Sequence, residues 1–321
     1  MAHLFLFSDI VLNTRYTSVE KRSFMMKNFV LSCESTVDLP YSYVMERGLK
    51  VLFYSYSVEG NTYTDDMGKD PDSLNRFYDF LKKGHIPTTS QINQFTYEEF
   101  FRKELSEGND LLHLCFGTGM TQSYNQAVNA AEVVRKEYPE RKLIVIDTTC
   151  SSSGYGMIVD DAADLWDEGK SLQEVATYVE ENKYNIHHQF FTTDLKYFKR
   201  TGRVSGPTAS IGTVLRICPL MHLNHAGRII AYSKVMGKRN AMKATLDWME
   251  KHAKDGKNYN GKIFISHSHA LEDAETVKSQ IEERFPNLKG KVRIFDIGTI
   301  IASHTGPGTV AIYFHGDVRG E

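Results

Sequence analysis

The chain alternates between short apolar runs and segments with helical periodicity. From Phe29 onward, four apolar runs are typical of strands, and polar or glycine-containing turns bound them. These runs are FVLSC, KVLFYSYSV, LLHLCF and KLIVIDT. A buried helical face is predicted between the second and third runs, at Leu74, Phe77, Tyr78 and Leu81. Strands that alternate with helices predict a mostly parallel, open sheet with helices on both faces.

Two pairs of residues predict where further helices begin. Thr96 with Glu99, and Ser171 with Glu174, have the spacing of a capping box. In that motif the hydroxyl oxygen accepts a hydrogen bond from a free backbone N–H group of the first helical turn. We therefore expect helices to start at both places.

The second half of the chain predicts a mixed α/β domain. Its expected strands are HHQFFTT, PLMHLN, RIIAYSKV, KIFISH, KVRIFDIG and TVAIYFH. PLMHLN and RIIAYSKV flank NHAG, a hairpin-like connection that ends at Gly227. Helices are expected at about 238 to 254 and 271 to 285.

The predicted fold class is α/β with two domains. Residues 28–170 form the N-terminal domain with the open, mostly parallel sheet, and residues 171–321 form the C-terminal mixed α/β domain. The boundary lies between about 165 and 185, where no linker rich in proline, glycine or serine marks it. Residues 1–27 differ from the rest in pattern, and we interpret them as an N-terminal extension; the alternative is an ordinary helical or strand-forming arm that packs on the domain.

Composition excludes several classes of protein. The 321 residues include 38 lysines and arginines against 40 aspartates and glutamates, so no overall positive charge attracts nucleic acid. The four cysteines form no C-x-x-C pair, which favours a reducing, cytoplasmic setting. No apolar stretch approaches the roughly 20 residues of a membrane-spanning helix. The N-terminus lacks the basic region of a signal peptide.

The segment LLHLCFGTGMTQSYNQAVNAAEVV combines a buried strand, a glycine-rich turn at 117–119 and a helix. Such a turn directs backbone N–H groups and a helix N-terminus toward a bound anion. Its spacing is G-x-G-x-x-S and the Walker lysine is missing, so it does not match a nucleotide-binding motif. The alternative is that Gly117 and Gly119 only shape a tight turn.

Other polar residues each have a functional and a structural interpretation. Thr121 either caps the following helix or donates to an anion. The hydroxyls of PTTSQ, residues 87–91, are also typical of an ordinary loop. His304 is expected in a loop before the GPG turn, where it either binds an anion or has a structural role. His267 and His269 lack further ligands nearby in the sequence, so no metal is expected. Hydrolase motifs are absent, and these features together indicate a binding protein.

Six segments of the chain together resemble the DegV family of bacterial fatty-acid-binding proteins. The resemblance runs from about residue 28 to the C-terminus. Its motifs are SCESTVDLP, TTSQ, GTGMTQSYNQA, VIDTTCSSSGYG, DLKYFKRTGRVSG and SHTGPGTVAIYF. The resemblance implies two α/β domains with a fatty acid between them and no cofactor. The ligand is expected to be a long-chain, palmitate-like fatty acid.

The resemblance also implies roles for individual residues. Thr89, Thr121 and His304 match the groups that bind the fatty-acid carboxylate. The backbone of Gly119 and Met120 is expected to support this anion site.

In some family members a separate ATP-dependent kinase phosphorylates the bound carboxylate. The family arginine that assists this partnership matches Arg203, which we expect on a solvated surface loop. A second family arginine is replaced by Met236. The usual Asp of the first motif is Glu34, and the usual Ser of the anion site is Thr121.

A carrier without catalytic activity is therefore the favoured function. The alternative is a phosphotransferase or acyl-transferring enzyme that uses the same anion site. Both require an anion pocket, but the sequence has no Walker lysine and no acidic metal-binding cluster, which favours the carrier.

Overall fold

The computed structural model describes residues 27–204 and 217–320. The predicted N-terminal extension lies outside these residues except for its last residue, Lys27. The Lys27 ammonium group donates to the Arg47 carbonyl at 2.8 Å and lies 3.4 Å from the centre of the Trp166 ring. The described chain therefore begins with a residue that packs on the domain.

Thirteen strands and ten α-helices follow within the described residues. The strands are β1 (Val30–Glu34), β2 (Lys50–Leu52), β3 (Ser55–Val58), β4 (Asn61–Thr64), β5 (Thr88–Ser90), β6 (Leu111–Cys115), β7 (Leu143–Asp147), β8 (Ile186–Thr192), β9 (Ile217–Leu223), β10 (Ile229–Met236), β11 (Ile263–His267), β12 (Arg293–Asp296) and β13 (Thr309–His315). The helices are α1 (Tyr41–Glu46), α2 (Ser73–Lys82), α3 (Gln94–Ser106), α4 (Ser123–Glu137), α5 (Ser152–Asp167), α6 (Leu172–Asn182), α7 (Lys196–Arg200), α8 (Lys238–His252), α9 (Leu271–Arg284) and α10 (Thr299–Thr305).

The N-terminal sheet is parallel, as the alternation of strands and helices predicts. Its order is β2-β1-β6-β7, and every pairing is parallel. All five residues of β6 are buried, which explains why its sequence is continuously apolar rather than alternating. The predicted face of α2 is also confirmed, since Phe77, Tyr78 and Leu81 are buried and Leu74 packs against them.

A small antiparallel sheet, in the order β4-β3-β5, was not expected from the sequence. The run KVLFYSYSV is wrongly predicted as one strand: it divides into β2 and β3, which belong to different sheets. The Tyr54 N–H between them donates to the Ser35 hydroxyl at 3.1 Å instead of continuing the first ladder. The PTTSQ segment is wrongly predicted as a loop, because Thr88–Ser90 pairs with β3 and places Thr89 opposite Tyr56.

The C-terminal sheet is mixed, as expected, with the order β10-β9-β8-β13-β11-β12. The β11 and β12 strands pair in parallel, and the other pairs are antiparallel. The predicted hairpin joins β9 to β10, and the Asn224 N–H donates to the Arg228 carbonyl at 3.0 Å across it. Gly227 in this connection has a φ of 69°, a conformation that glycine adopts readily.

Helices α5 and α6 connect the two main sheets, and the predicted boundary region falls on them. The division at residue 170 remains a prediction. The capping box at α6 is confirmed, because the Ser171 hydroxyl accepts from the Glu174 N–H at 3.3 Å and the Glu174 carboxylate accepts from the Ser171 N–H at 2.8 Å. The prediction at Thr96 is wrong, because Asn93 caps α3 and accepts from the Thr96 N–H at 2.9 Å.

Two buried carboxyl groups from the N-terminal part hold the start of α10. Asp38 accepts a hydrogen bond from the Gly298 N–H at 3.0 Å. Asp65 accepts from the Thr299 N–H at 3.2 Å and the Thr299 hydroxyl at 2.7 Å. Burial raises the pKa of Asp65 to about 6, although its hydrogen bonds with Thr299 act in the opposite direction.

The raised pKa of Asp65 predicts a specific pH dependence of stability. The unfolded carboxyl group titrates near about 4. The native state therefore binds more protons between about pH 4 and 6, and the contribution of Asp65 to stability falls as the pH rises through this interval. We expect the free energy of unfolding of Asp65→Asn, relative to the unmodified protein, to increase by up to about 3 kcal/mol between pH 4 and 7.

Urea unfolding across this pH range measures the effect. Asp79→Asn is a suitable control because the Asp79 side chain is exposed. Parallel stability profiles for Asp65→Asn and the unmodified protein would show that Asp65 does not titrate as the structure indicates.

Candidate functional site

A cavity of about 490 Å³ lies between the N-terminal and C-terminal parts of the fold. Most of its wall is apolar. The apolar side chains are Phe116, Met120, Phe190, Phe198, Leu223, Ile229, Ile297, Ile300, Ile301 and Ala311. The polar groups along it include Tyr54, Thr89, Gln91, Thr121, Arg203 and His304. The cavity therefore combines a large apolar surface with polar groups, as small-molecule sites do.

The Thr89 hydroxyl and His304 Nε2 form a hydrogen bond of 2.9 Å in the cavity wall. Thr89 is in the middle of β5, where pairing with Tyr56 of β3 fixes it. His304 is wrongly predicted to lie in a loop, because it belongs to the last turn of α10. The helix ends just before Gly306, which has a φ of 66°. A glycine at this position commonly terminates a helix, but in the sequence the glycines at 306 and 308 suggested a loop.

His304 is uncharged at neutral pH. Burial, together with the nearby positive charges of Arg203 and Arg200, lowers its pKa to about 3. Its Nδ1 atom is buried and has no hydrogen-bond partner among the described residues. When the Thr89 hydroxyl donates to Nε2, the single ring proton is on Nδ1. His304 then has one free N–H donor at the cavity, suited to an anionic oxygen.

Thr121 lies in the same wall, two residues before α4 rather than at its first position. Its hydroxyl oxygen accepts from the Ser123 N–H at 3.3 Å, so it satisfies one free N–H at the helix start, although the N-cap residue itself is Gln122. The hydroxyl proton is still available for a second interaction. Thr121 can therefore accept from this N–H and donate to an anion at once.

Sequence reasoning missed Tyr54, whose hydroxyl lies between the cavity and a buried acid. Burial and the neighbouring Glu34 carboxylate raise the pKa of Tyr54 well above its ordinary value, while side-chain contacts with Ser123 and Thr121 lower it. The Tyr54 hydroxyl donates to Glu34 at 3.2 Å. Its position within the apolar run KVLFYSYSV provides no signal of this role.

Glu34 is fully buried and organises the wall beside Tyr54. Its carboxylate accepts from the Phe116 N–H at 3.0 Å and from the Tyr97 hydroxyl, in addition to Tyr54. His113 Nε2 lies 3.6 Å away. These contacts connect β1, β6 and α3 immediately behind the cavity. The unusual acid of the first motif thus has a positioning role that the sequence did not indicate.

The glycine-rich turn has the structural role that was left open as an alternative. A Cβ atom on Gly119 would lie 2.2 Å from the Gly227 carbonyl oxygen, so the turn and the β9–β10 hairpin require glycine at their contact. The Met120 N–H donates to the Gly117 carbonyl at 3.0 Å, and the Thr118 N–H donates to Asp147 at 3.2 Å. Gly119 and Met120 line the cavity, but the Met120 N–H is already used within the turn.

Arg203 lies in the cavity wall, half-buried, whereas the sequence predicts a solvated surface loop. Its guanidinium donates to the Thr201 carbonyl at 2.5 Å. The Arg203 charge acts on His304 and contributes to the lowered pKa of that imidazole. Exposed Arg200 lies over the Tyr197 ring at 4.8 Å, so a second positive charge is close to the same end of the cavity. Both charges favour an anion there.

Comparison with known proteins identifies the family. The model of the DegV family, which describes an uncharacterised protein, matches residues 29–317. The chain belongs to the DegV family. A DegV domain-containing protein of Clostridium perfringens is 34% identical over 294 residues, covering 92% of this chain and 99% of that protein. A second, from Lactococcus lactis, is 32% identical over 287 residues and covers 89% and 96% of the two chains.

Solved DegV structures have the same fold. A structure from Thermus thermophilus, described as a fatty-acid-binding DegV family protein, has 26% identity and a TM-score of 0.77, covering 90% of this chain and 99% of that one. The fatty acid kinase B3 protein of Streptococcus pneumoniae, loaded with linoleic acid, has 17% identity and a TM-score of 0.76, with coverage of 90% and 100%. The two-domain α/β architecture predicted from the sequence is thereby confirmed.

No helix within the described ranges is long and apolar enough to cross a membrane.

Proposed function

We propose that this protein binds a long-chain fatty acid in the cavity between its two parts and presents the carboxylate to a separate kinase. Thr89, Thr121 and His304 would bind the carboxylate. The observation that carries this proposal is the Thr89–His304 hydrogen bond, which leaves a buried Nδ1 atom with no partner among the described residues at a largely apolar cavity.

The polar groups suit a carboxylate in number and charge. A carboxylate accepts only. Thr121 can donate one hydrogen bond to it, and the pair of Thr89 and neutral His304 can donate one more, because the bond between these two side chains uses one of their two protons. Hydrogen bonds to a charged group contribute about 1.5–3 kcal/mol each. Arg203 adds a nearby positive charge that disfavours a protonated histidine and favours a bound anion.

The apolar wall suits an acyl chain. Burial of each methylene contributes about 0.8 kcal/mol, so the chain supplies most of the affinity while the carboxylate fixes its orientation. The cavity volume of about 490 Å³ is within the usual range of sites for small ligands. We infer a palmitate-like ligand and no cofactor.

The relatives support this assignment. The Thermus thermophilus protein binds fatty acid. Structures from Eubacterium eligens and Eubacterium ventriosum contain heptadecanoic acid and stearic acid respectively. The Streptococcus pneumoniae protein is a component of a fatty acid kinase. We therefore propose that this chain is a carrier that acts with an ATP-dependent kinase, and not itself an enzyme.

A cytoplasmic location is part of the proposal. An ATP-dependent partner requires it, and the four buried cysteines are free thiols, as in reducing compartments.

Removal of individual donors tests the carboxylate site. Thr89→Ala, Thr121→Ala and His304→Ala should each weaken fatty-acid binding by about tenfold or more, since each removes a hydrogen bond to a charged group or, for Thr89, the partner that orients the His304 donor. Displacement of a fluorescent fatty acid from delipidated protein measures the affinity, and thermal unfolding checks that the variants fold.

Thr88→Ala is the matched control, because Thr88 is the exposed neighbour of Thr89 on β5. It should bind as the unmodified protein does. If Thr89→Ala and His304→Ala also retained full affinity, the carboxylate would not lie where we propose.

Substitution of Arg203 distinguishes fatty-acid binding from presentation of the carboxylate to the kinase. We propose that its guanidinium offsets phosphate charge at the end of the cavity during transfer. Arg203→Ala should lower acyl-phosphate formation with kinase and ATP by at least about tenfold, with a smaller loss of fatty-acid affinity than His304→Ala causes. Arg203→Lys should recover part of the rate of acyl-phosphate formation, because lysine keeps the positive charge but lacks the planar set of N–H donors of the guanidinium.

Lys196→Ala is the control, because Lys196 is exposed at the start of the neighbouring helix α7 and pairs with Asp194 at 3.2 Å. Unchanged phosphorylation by an active kinase would remove Arg203 from the kinase-facing site. An affinity loss equal to that of His304→Ala would instead assign Arg203 to the carboxylate site.

A further inference from the structure

Three potential metal ligands meet at the far end of the C-terminal sheet, outside the fatty-acid cavity. They are His187 at the start of β8, His252 at the end of α8 and Asp317 just after β13. His187 Nε2 lies 2.8 Å from Asp317 Oδ1, and His252 Nδ1 lies 3.1 Å from Asp317 Oδ2. One ligand atom from each residue lies within 4.8 Å of the other two.

Packing fixes the orientation of both imidazole rings. The His187 side chain is 4% exposed and stacks on Phe314 with 5.1 Å between ring centres. The His252 side chain is 16% exposed, and its ring centre lies 4.3 Å from that of Trp248. A Cβ atom on Gly316 would lie 2.7 Å from the His187 ring, so glycine allows the chain to approach. The two rings are thus held facing one carboxylate.

Asp317 leaves this cluster open to water, because its side chain is 60% exposed. Two imidazole nitrogens and one carboxylate, with an open position, match the donors that zinc and similar divalent transition metals prefer. Magnesium and calcium prefer sets of oxygen ligands instead. The chemistry of the donors therefore selects a zinc-type ion.

The other such group among the described residues is Glu34, His113 and Cys115. It fits a metal less well. Glu34 already accepts hydrogen bonds from Tyr54, Tyr97 and the Phe116 N–H. Burial, followed by the Glu34 charge, raises the pKa of Cys115 well above its ordinary value, so the thiol is not ionised.

We propose that His187, His252 and Asp317 form a binding site for a zinc-type divalent cation that secures the C-terminal tail. The Asp317 N–H already donates to the His252 carbonyl at 3.0 Å. Two residues further, the buried Arg319 donates to the Thr149 hydroxyl at 2.7 Å, so the tail reaches the segment between β7 and α5. A bound ion would hold this tail across three elements. The inference does not depend on the proposed fatty-acid function.

Titration of the tag-free, chelator-treated full chain with Zn²⁺ tests the site. We expect one equivalent to bind, with a rise in Tm of roughly a few degrees in excess Zn²⁺. Asp317→Asn and His252→Ala should each weaken binding by at least about tenfold. His85→Ala is the matched control, because His85 contacts a single carboxylate, Glu59, at 3.3 Å.

Failure of the unmodified chain to bind Zn²⁺ would overturn the proposal, as would equal affinities in both ligand variants and the unmodified chain. NMR of the unmodified chain provides a test that does not depend on folding of the variants. Zn²⁺ should shift the imidazole signals of two histidines together. Loss of binding in His85→Ala, or no imidazole shift, would place the ion elsewhere and contradict the site.

Discussion

The hydrogen bond between Thr89 and His304 joins residues that are 215 positions apart, and the arrangement of the cavity depends on it. Each partner is held by its own part of the chain. Pairing with Tyr56 in the small sheet fixes Thr89. His304 is held because Asp65, together with Asp38, binds the start of its helix. The N-terminal part thus controls both ends of α10, and the polar end of the cavity forms only when the two parts are in contact.

Close backbone contact completes the cavity on its other side. The glycine-rich turn and the β9–β10 hairpin touch through Gly119 and Gly227, where no side chain fits between them. Behind the turn, buried Glu34 connects the Phe116 N–H to the Tyr54 hydroxyl. The glycines of the motif therefore serve close packing, and the donors that we propose for the carboxylate are side chains. This division explains why a turn without a nucleotide-binding pattern can still border the anion site that we propose.

The sequence predicts the two main sheets well, because long apolar runs separated by turns leave few alternatives. It fails at β5, a three-residue strand of polar residues whose partner is far away in sequence. It also fails at His304, where a helical turn directly before Gly306 resembles a loop. Thr89, Thr121 and His304 each have an ordinary structural interpretation, and only the family motifs select them together. The sequence contains no signal for the role of Tyr54, since that role arises from its tertiary contact with Glu34.

The central claim is that this cavity holds a fatty acid by its carboxylate. Mass spectrometry of material extracted from the purified protein tests it most directly, because a ligand buried between two domains is expected to remain bound through purification. We expect about one long-chain fatty acid per protein chain and no nucleotide. Recovery of a bound nucleotide, with no fatty acid, would contradict the carrier function and favour an enzyme that uses the same anion site.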